Sequence, residues 1–165
     1  MRALLFDTDG TDGERRWAIA CGCILELLPV VRWRELPDAP RWMRGVFERQ
    51  RSLHPLIDLS IRLGGPPISP RLGSRIVLVR LAPERTDGGL GGILLGGVLG
   101  IETIDWSGAG GHAGVACALD SPFGPIVPHH GTTVQLLHPE RLLVGDDRMR
   151  LFPEPVWESA APAAG

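Results

Sequence analysis

Four groups of residues in this chain carry atoms able to do chemistry. His129-His130-Gly131 offers two adjacent imidazoles, the commonest neutral metal ligands. A metal needs at least one more ligand converging from another element. His112 and His138 supply the number but not a spacing that brings them in, so a solvated hairpin tip is expected, with no metal and no cofactor. Cys21 and Cys23 form a Cys-x-Cys pair that lacks the two-residue spacer of zinc knuckles and redox motifs, and Cys117 makes the count odd. All three read as small buried hydrophobes. The glycine-interrupted run from Gly92 to Ile104 suggests a phosphate cradle, but that device needs a strand, a Gly-rich turn and a helix in succession. No amphipathic helix follows Gly100, so a bulged or closely packed strand is expected. The fourth group is acidic: Asp7 and Asp9 close the apolar run Ala3 to Phe6, and Asp146 and Asp147 follow Leu142 to Val144. Both clusters have a plain role as solvated turns at the ends of elements.

The first acidic cluster has a sharper reading. Leu4-Leu5-Phe6-Asp7-Thr8-Asp9-Gly10-Thr11 resembles the first motif of haloacid dehalogenase-type phosphatases. That resemblance implies Asp7 as nucleophile toward a phosphoryl group and Asp9 as general acid/base, with Asp146 and Asp147 imitating the metal-binding acidic motif. Two observations oppose it. Such an enzyme uses a Lys, or rarely an Arg, to stabilise the phosphoryl intermediate, and this chain has no Lys. It also needs a parallel sheet wrapped in helices, whereas the chain between the two motifs breaks every few residues at Gly or Pro and shows almost no period of 3.6. The phosphatase stands as the alternative to a non-catalytic protein.

The elements that position these residues read as short strands. Ala3 to Phe6 and Trp17 to Ile24 form a strand–turn–strand unit, and Ile24 to Leu28 continues apolar with Glu26 inside it. Glu26 is either a solvent-facing residue on a half-buried segment or part of a contact patch. Met43 to Phe47 and Leu53 to Leu59 flank the charged connection Glu48-Arg49-Gln50-Arg51, a polar hairpin. One helical turn is expected over Pro40 to Arg44, and a short helix ends at Gly64. Ser74 to Leu81 is the cleanest strand by β-branched content. Val115 to Leu119 and Thr132 to Leu137 read as further strands, and Pro139 starts a short helix. Residues 153–165 have the composition of a disordered Pro/Ala-rich tail.

With 165 residues, 44% hydrophobic and 22% charged, the chain falls in the soluble globular class as one domain or two small lobes. A net charge of -2 gives no footprint for nucleic acid or for an anionic membrane. No run approaches the roughly 20 apolar residues of a membrane span, and the start is too short for a secretory signal, so a cytoplasmic protein without direct membrane insertion is expected.

The stretch Gly45 to Ser60 is the most specific in the chain. It resembles the signature of the CheW-like coupling domain, in which Gly-Val-x-Asn-Leu-Arg-Gly is followed, three residues on, by Pro-Val-Ile-Asp-Leu. Gly45, Val46, Pro55, Ile57, Asp58 and Leu59 match, and Leu56 is conservative. Glu48, Gln50 and Arg51 replace the Asn, the Arg and the second Gly. Further similarities come in the family's order: Glu26 in Ile24-Leu25-Glu26-Leu27, Leu36-Pro37-Asp38-Ala39-Pro40 before the signature, and Pro122 to Val127 late in the chain.

That resemblance, spanning about Ala3 to Val144, implies an all-β fold of two packed SH3-like five-stranded β-barrel lobes with short helices, occupying residues 1–152. The shared core would come from Leu5, Trp17, Ile24, Val46, Leu56, Ile57, Ile76, Leu78, Ile93 and Leu94. It implies an adaptor that couples a methyl-accepting chemoreceptor's cytoplasmic tip to a CheA-type histidine kinase. Val46, Arg49, Gln50 and Arg51 are the expected partner contacts, with Glu26 as a second patch and Asp58 as a structural residue closing a strand end. The altered hairpin tip points to a dedicated receptor system, such as surface sensing or pilus motility.

Overall fold

The computed structural model describes residues 1–8, 15–107 and 120–153, so Asp9, His112, Cys117, the expected strand Val115 to Leu119 and the tail beyond Pro153 lie outside the described residues. Among the described residues, ten strands make two five-stranded sheets. The first holds β1 (Arg2–Asp7), β2 (Arg15–Ala20), β8 (Gly97–Thr103), β9 (Phe123–His129) and β10 (Thr132–Leu137), in the order β8-β1-β2-β10-β9. The second holds β3 (Ile24–Pro29), β4 (Met43–Arg49), β5 (Ser52–Asp58), β6 (Arg75–Arg80) and β7 (Leu90–Leu95), in the order β3-β6-β7-β5-β4. We call these lobe 1 and lobe 2. Pairing is antiparallel except for β10 with β2 and β5 with β7. The described residues also hold two short α-helices, α1 (Leu59–Arg62) and α2 (Asp146–Leu151). Among the described residues, no helix is long and apolar enough to cross a membrane.

Period-two side-chain direction explains why the strands read as unbroken apolar runs. In β1, Ala3 and Leu5 point into lobe 1 with Ala18, Ile104, Val127 and Val134, whereas Leu4 and Phe6 point the other way, toward lobe 2. β6 divides likewise: Ile76 and Leu78 join Phe47, Leu56, Ile68 and Leu94 inside lobe 2, while Val77 and Val79 join Leu4, Phe6, Ile19 and Ile93 between the lobes. Strands buried on both faces lose the polar alternation of a one-faced sheet.

Three expectations are corrected here. Gly92 to Ile104 is not one strand region: β7 ends at Leu95 in lobe 2 and β8 starts at Gly97 in lobe 1. The run from Trp17 to Ile24 also splits, at a 3-10 turn over Cys21–Cys23 that carries the chain from β2 in lobe 1 to β3 in lobe 2. Pro40 to Arg44 makes one hydrogen-bonded turn, Met43 N–H to the Pro40 carbonyl at 2.9 Å, after which the chain is already strand.

In each lobe a polar contact joins the two outermost strands. In lobe 1, His129 at the end of β9 lies 2.6 Å from the Glu102 carboxylate on β8. That hydrogen bond, reinforced by the charges of His129, His130 and Arg16, holds the Glu102 carboxyl below the usual range despite opposing desolvation. In lobe 2, Arg49 of β4 reaches Glu26 of β3, and Arg34 pairs its backbone with Val46 at 2.8 and 2.9 Å to close the same seam.

Candidate functional site

The hairpin of β4 and β5 closes one edge of the lobe 2 sheet. Its last strand pair is Arg49 with Ser52, leaving Gln50 and Arg51 as a two-residue loop with φ of 51° and 64°. Positive φ at both central positions marks a type I′ turn, which suits the twist of the flanking strands but favours Asn-Gly. A side chain at positive φ costs roughly 1–2 kcal/mol, so Gln50→Asn combined with Arg51→Gly is expected to stabilise the domain by about that much. Urea denaturation of the double variant against the parent protein checks the gain.

Arg49 meets Glu26 in a two-pronged contact, Nε to Oε2 at 3.0 Å and Nη2 to Oε1. The fork matches a planar guanidinium to a planar carboxylate, and the hydrogen bond that Arg49 donates to Glu26 raises the Arg49 pKa above its ordinary value. Glu26 owes its direction to a register shift between Ile24 and Glu26 in the pairing of β3 with β6. Leu25 and Leu27, on either side of it in β3, are 45% and 40% exposed. An exposed ion pair of this kind contributes little to stability and sets orientation instead.

Val46 stands apart from the tip. It is half-buried rather than core, its backbone is bonded to Arg34, and it lines a groove of mixed polarity with Leu36, Leu53, Pro55, Asp38 and Arg150. Ile24 is likewise half-buried, against the interlobe core. The fold therefore brings Glu26 and Arg49 together, puts Gln50 and Arg51 beside them at the tip, and places Val46 in a neighbouring groove. The exposure of Leu25 and Leu27 was not legible in the sequence, because a solvent-facing Glu26 between them would turn both neighbours inward by period-two alternation.

Asp58 is fully buried and is held in place by three donors: Ile61 N–H at 3.1 Å, Ile68 N–H at 2.9 Å and Arg44 Nη1 at 2.9 Å. It caps α1 and fixes the loop that follows, which is the structural role expected of it.

The phosphatase alternative fails on architecture. β1, the strand that would deliver the nucleophile, pairs antiparallel with both neighbours, β2 and β8, and no helix layer covers the sheet that holds it among the described residues. Asp7 at its end is bonded to Arg71 Nη2 at 2.9 Å, clasping lobe 1 to the loop after α1. Asp147 pairs with Arg62 at 3.4 Å in the first turn of α2.

A family model described as the CheW-like domain matches residues 5–146. No curated protein matches the chain. Among solved structures, the crystal structure of the scaffolding protein TtCheW from Thermoanaerobacter tengcongensis is similar with a TM-score of 0.70 at 18% identity, over 88% of this chain and 94% of that one.

Proposed function

The chain belongs to the CheW-like domain family, whose members are non-catalytic scaffolds of chemotaxis signalling, and from that premise we propose that it couples a methyl-accepting chemoreceptor to a CheA-type histidine kinase in the cytoplasm. The observation that carries this reading is that the family match spans both lobes, from β1 to the start of α2. An adaptor of this kind works by binding: apolar contact supplies affinity and the charged rim selects the partner. Arg49, Gln50 and Arg51 of the β4–β5 tip, with Glu26 of β3, offer such a rim, and the groove lined by Val46 and the exposed Leu25 and Leu27 of β3 offer apolar surface. The replaced Asn-x-Arg-Gly positions direct the protein to a dedicated receptor system of the surface-sensing or pilus type.

Replacing Arg49 and Arg51 together by Glu is expected to weaken pull-down of kinase or receptor by about tenfold or more while the far-ultraviolet spectrum stays unchanged. Arg49 also holds Glu26, so the exchanged pair Glu26→Arg with Arg49→Glu serves as control. It restores the ion pair with inverted charges and should still bind poorly, because the partner reads the charges and not the seam. Undiminished capture by the Arg49/Arg51 variant would remove the hairpin from the interface. Full rescue of swimming chemotaxis in a strain lacking its general coupling protein would overturn the dedicated role.

A further inference from the structure

We propose that Glu102, His129 and His130 bind a divalent transition metal, Zn2+, at the seam between the outer strands of lobe 1. The two imidazoles alone lacked a third ligand in the sequence; the fold supplies one from β8, 27 residues away from His129. His129 Nε2 lies 2.6 Å from Glu102 Oε2 and His130 Nε2 lies 3.7 Å from the same oxygen. One ligand atom from each residue falls within 4.8 Å of the other two. A tetrahedral centre with bonds of about 2.0–2.2 Å places its ligand atoms about 3.3–3.6 Å apart, so each of these two gaps needs to change by no more than about 1 Å.

Adjacent residues of a strand point to opposite faces and do not ordinarily share a ligand. Here the strand ends at His129, and His130, with a φ of 47°, opens the turn completed by Gly131 at 78°. That reversal swings the second ring back until the centroids lie 4.3 Å apart, with both rings facing one carboxylate. Two imidazoles and a carboxylate suit zinc better than magnesium or calcium, which take oxygen. His130 is 75% exposed on its side chain, so the fourth position opens to water. Arg16 adds positive charge near Glu102, which keeps affinity below that of an enclosed site. β8 and β9 are not hydrogen-bonded to each other, so the metal would add a bond across the open side of the sheet.

The test is calorimetric titration of the untagged full-length protein with zinc chloride, alongside thermal melting. One zinc per chain is expected, with a melting rise of roughly 5–10 °C at a hundredfold excess over Kd. His130→Asn retains a residue at ease with positive φ and should lower affinity about tenfold or more. Glu102→Gln should do the same, and the Cys21→Ser/Cys23→Ser variant should bind as the parent does. Uptake that does not saturate at one zinc, undiminished binding by His130→Asn with an unchanged metal-free melt, or loss of uptake in the cysteine variant would each overturn the site.

Discussion

Replacing Asp58 by Ala is expected to lower the stability of the domain by about 3–5 kcal/mol, a large share of the roughly 5–15 kcal/mol that holds a domain together. Loss of the cap on α1 alone would cost about 1 kcal/mol. The larger figure follows from Arg44, whose guanidinium lies 2.9 Å from a carboxylate with no exposure to solvent. Without that partner Arg44 keeps one bond, to the Ile68 carbonyl at 3.1 Å, and its position over the Trp33 ring at 5.0 Å. The Ile68 amide loses its acceptor in a buried setting. Asp58→Asn retains shape and an acceptor oxygen, so it should cost about 1–3 kcal/mol. Urea unfolding with an unchanged slope reads both values, and a loss below about 1 kcal/mol for the Ala variant would show that Arg44 finds compensation elsewhere.

Gly45→Ala comes next in size, at about 3–4 kcal/mol from two causes. Its φ of 143° lies where only glycine sits without strain. A Cβ there would also fall 2.1 Å from the Arg34 carbonyl oxygen, which is backbone and cannot rotate aside. That oxygen accepts from Val46 N–H at 2.9 Å, so relieving the clash breaks the bridge that closes lobe 2, two hydrogen bonds of about 1 kcal/mol each. Amide exchange should show faster opening at Arg34 and Val46 than at β6. Equal protection in variant and parent would mean that the seam tolerates the methyl group.

Much of lobe 2 could be read from residue order. The hairpin, the Gly64 helix stop and the Ser74 to Leu81 strand all follow from local chemistry, with Gly64 at a φ of 88° and β6 over Arg75–Arg80. What escaped were the points where the chain changes lobe. At Cys21–Cys23 and again at Gly96-Gly97 the hydrophobicity continues, because the interlobe core claims side chains from both sheets. The parity of β4 escaped as well. A register shift between Met43 and Gly45 turns Phe47 into the core, 1% exposed, and leaves Val46 half out. Single-residue preferences carry no mark of such a slip. For the site, Glu26 and Arg49 were each legible as candidates, but their pairing spans 23 residues and depends on the barrel closing. Glu102 beside His129 was invisible for the same reason.

The two crossings between lobes have a consequence for biosynthesis. β3 to β7 run consecutively, so every strand of lobe 2 has been made once Leu95 leaves the ribosome, and that sheet can assemble at once. β1 and β2 emerge first yet must wait for β8 and β10, which flank them and are translated last. At about 5–20 residues per second, the opening hairpin therefore spends several seconds with its apolar faces uncovered by their final neighbours. Nascent chains halted once Leu95 has cleared the ribosome should hold a protected β6 and an unprotected β1, making β1 and β2 the strands most in need of a chaperone.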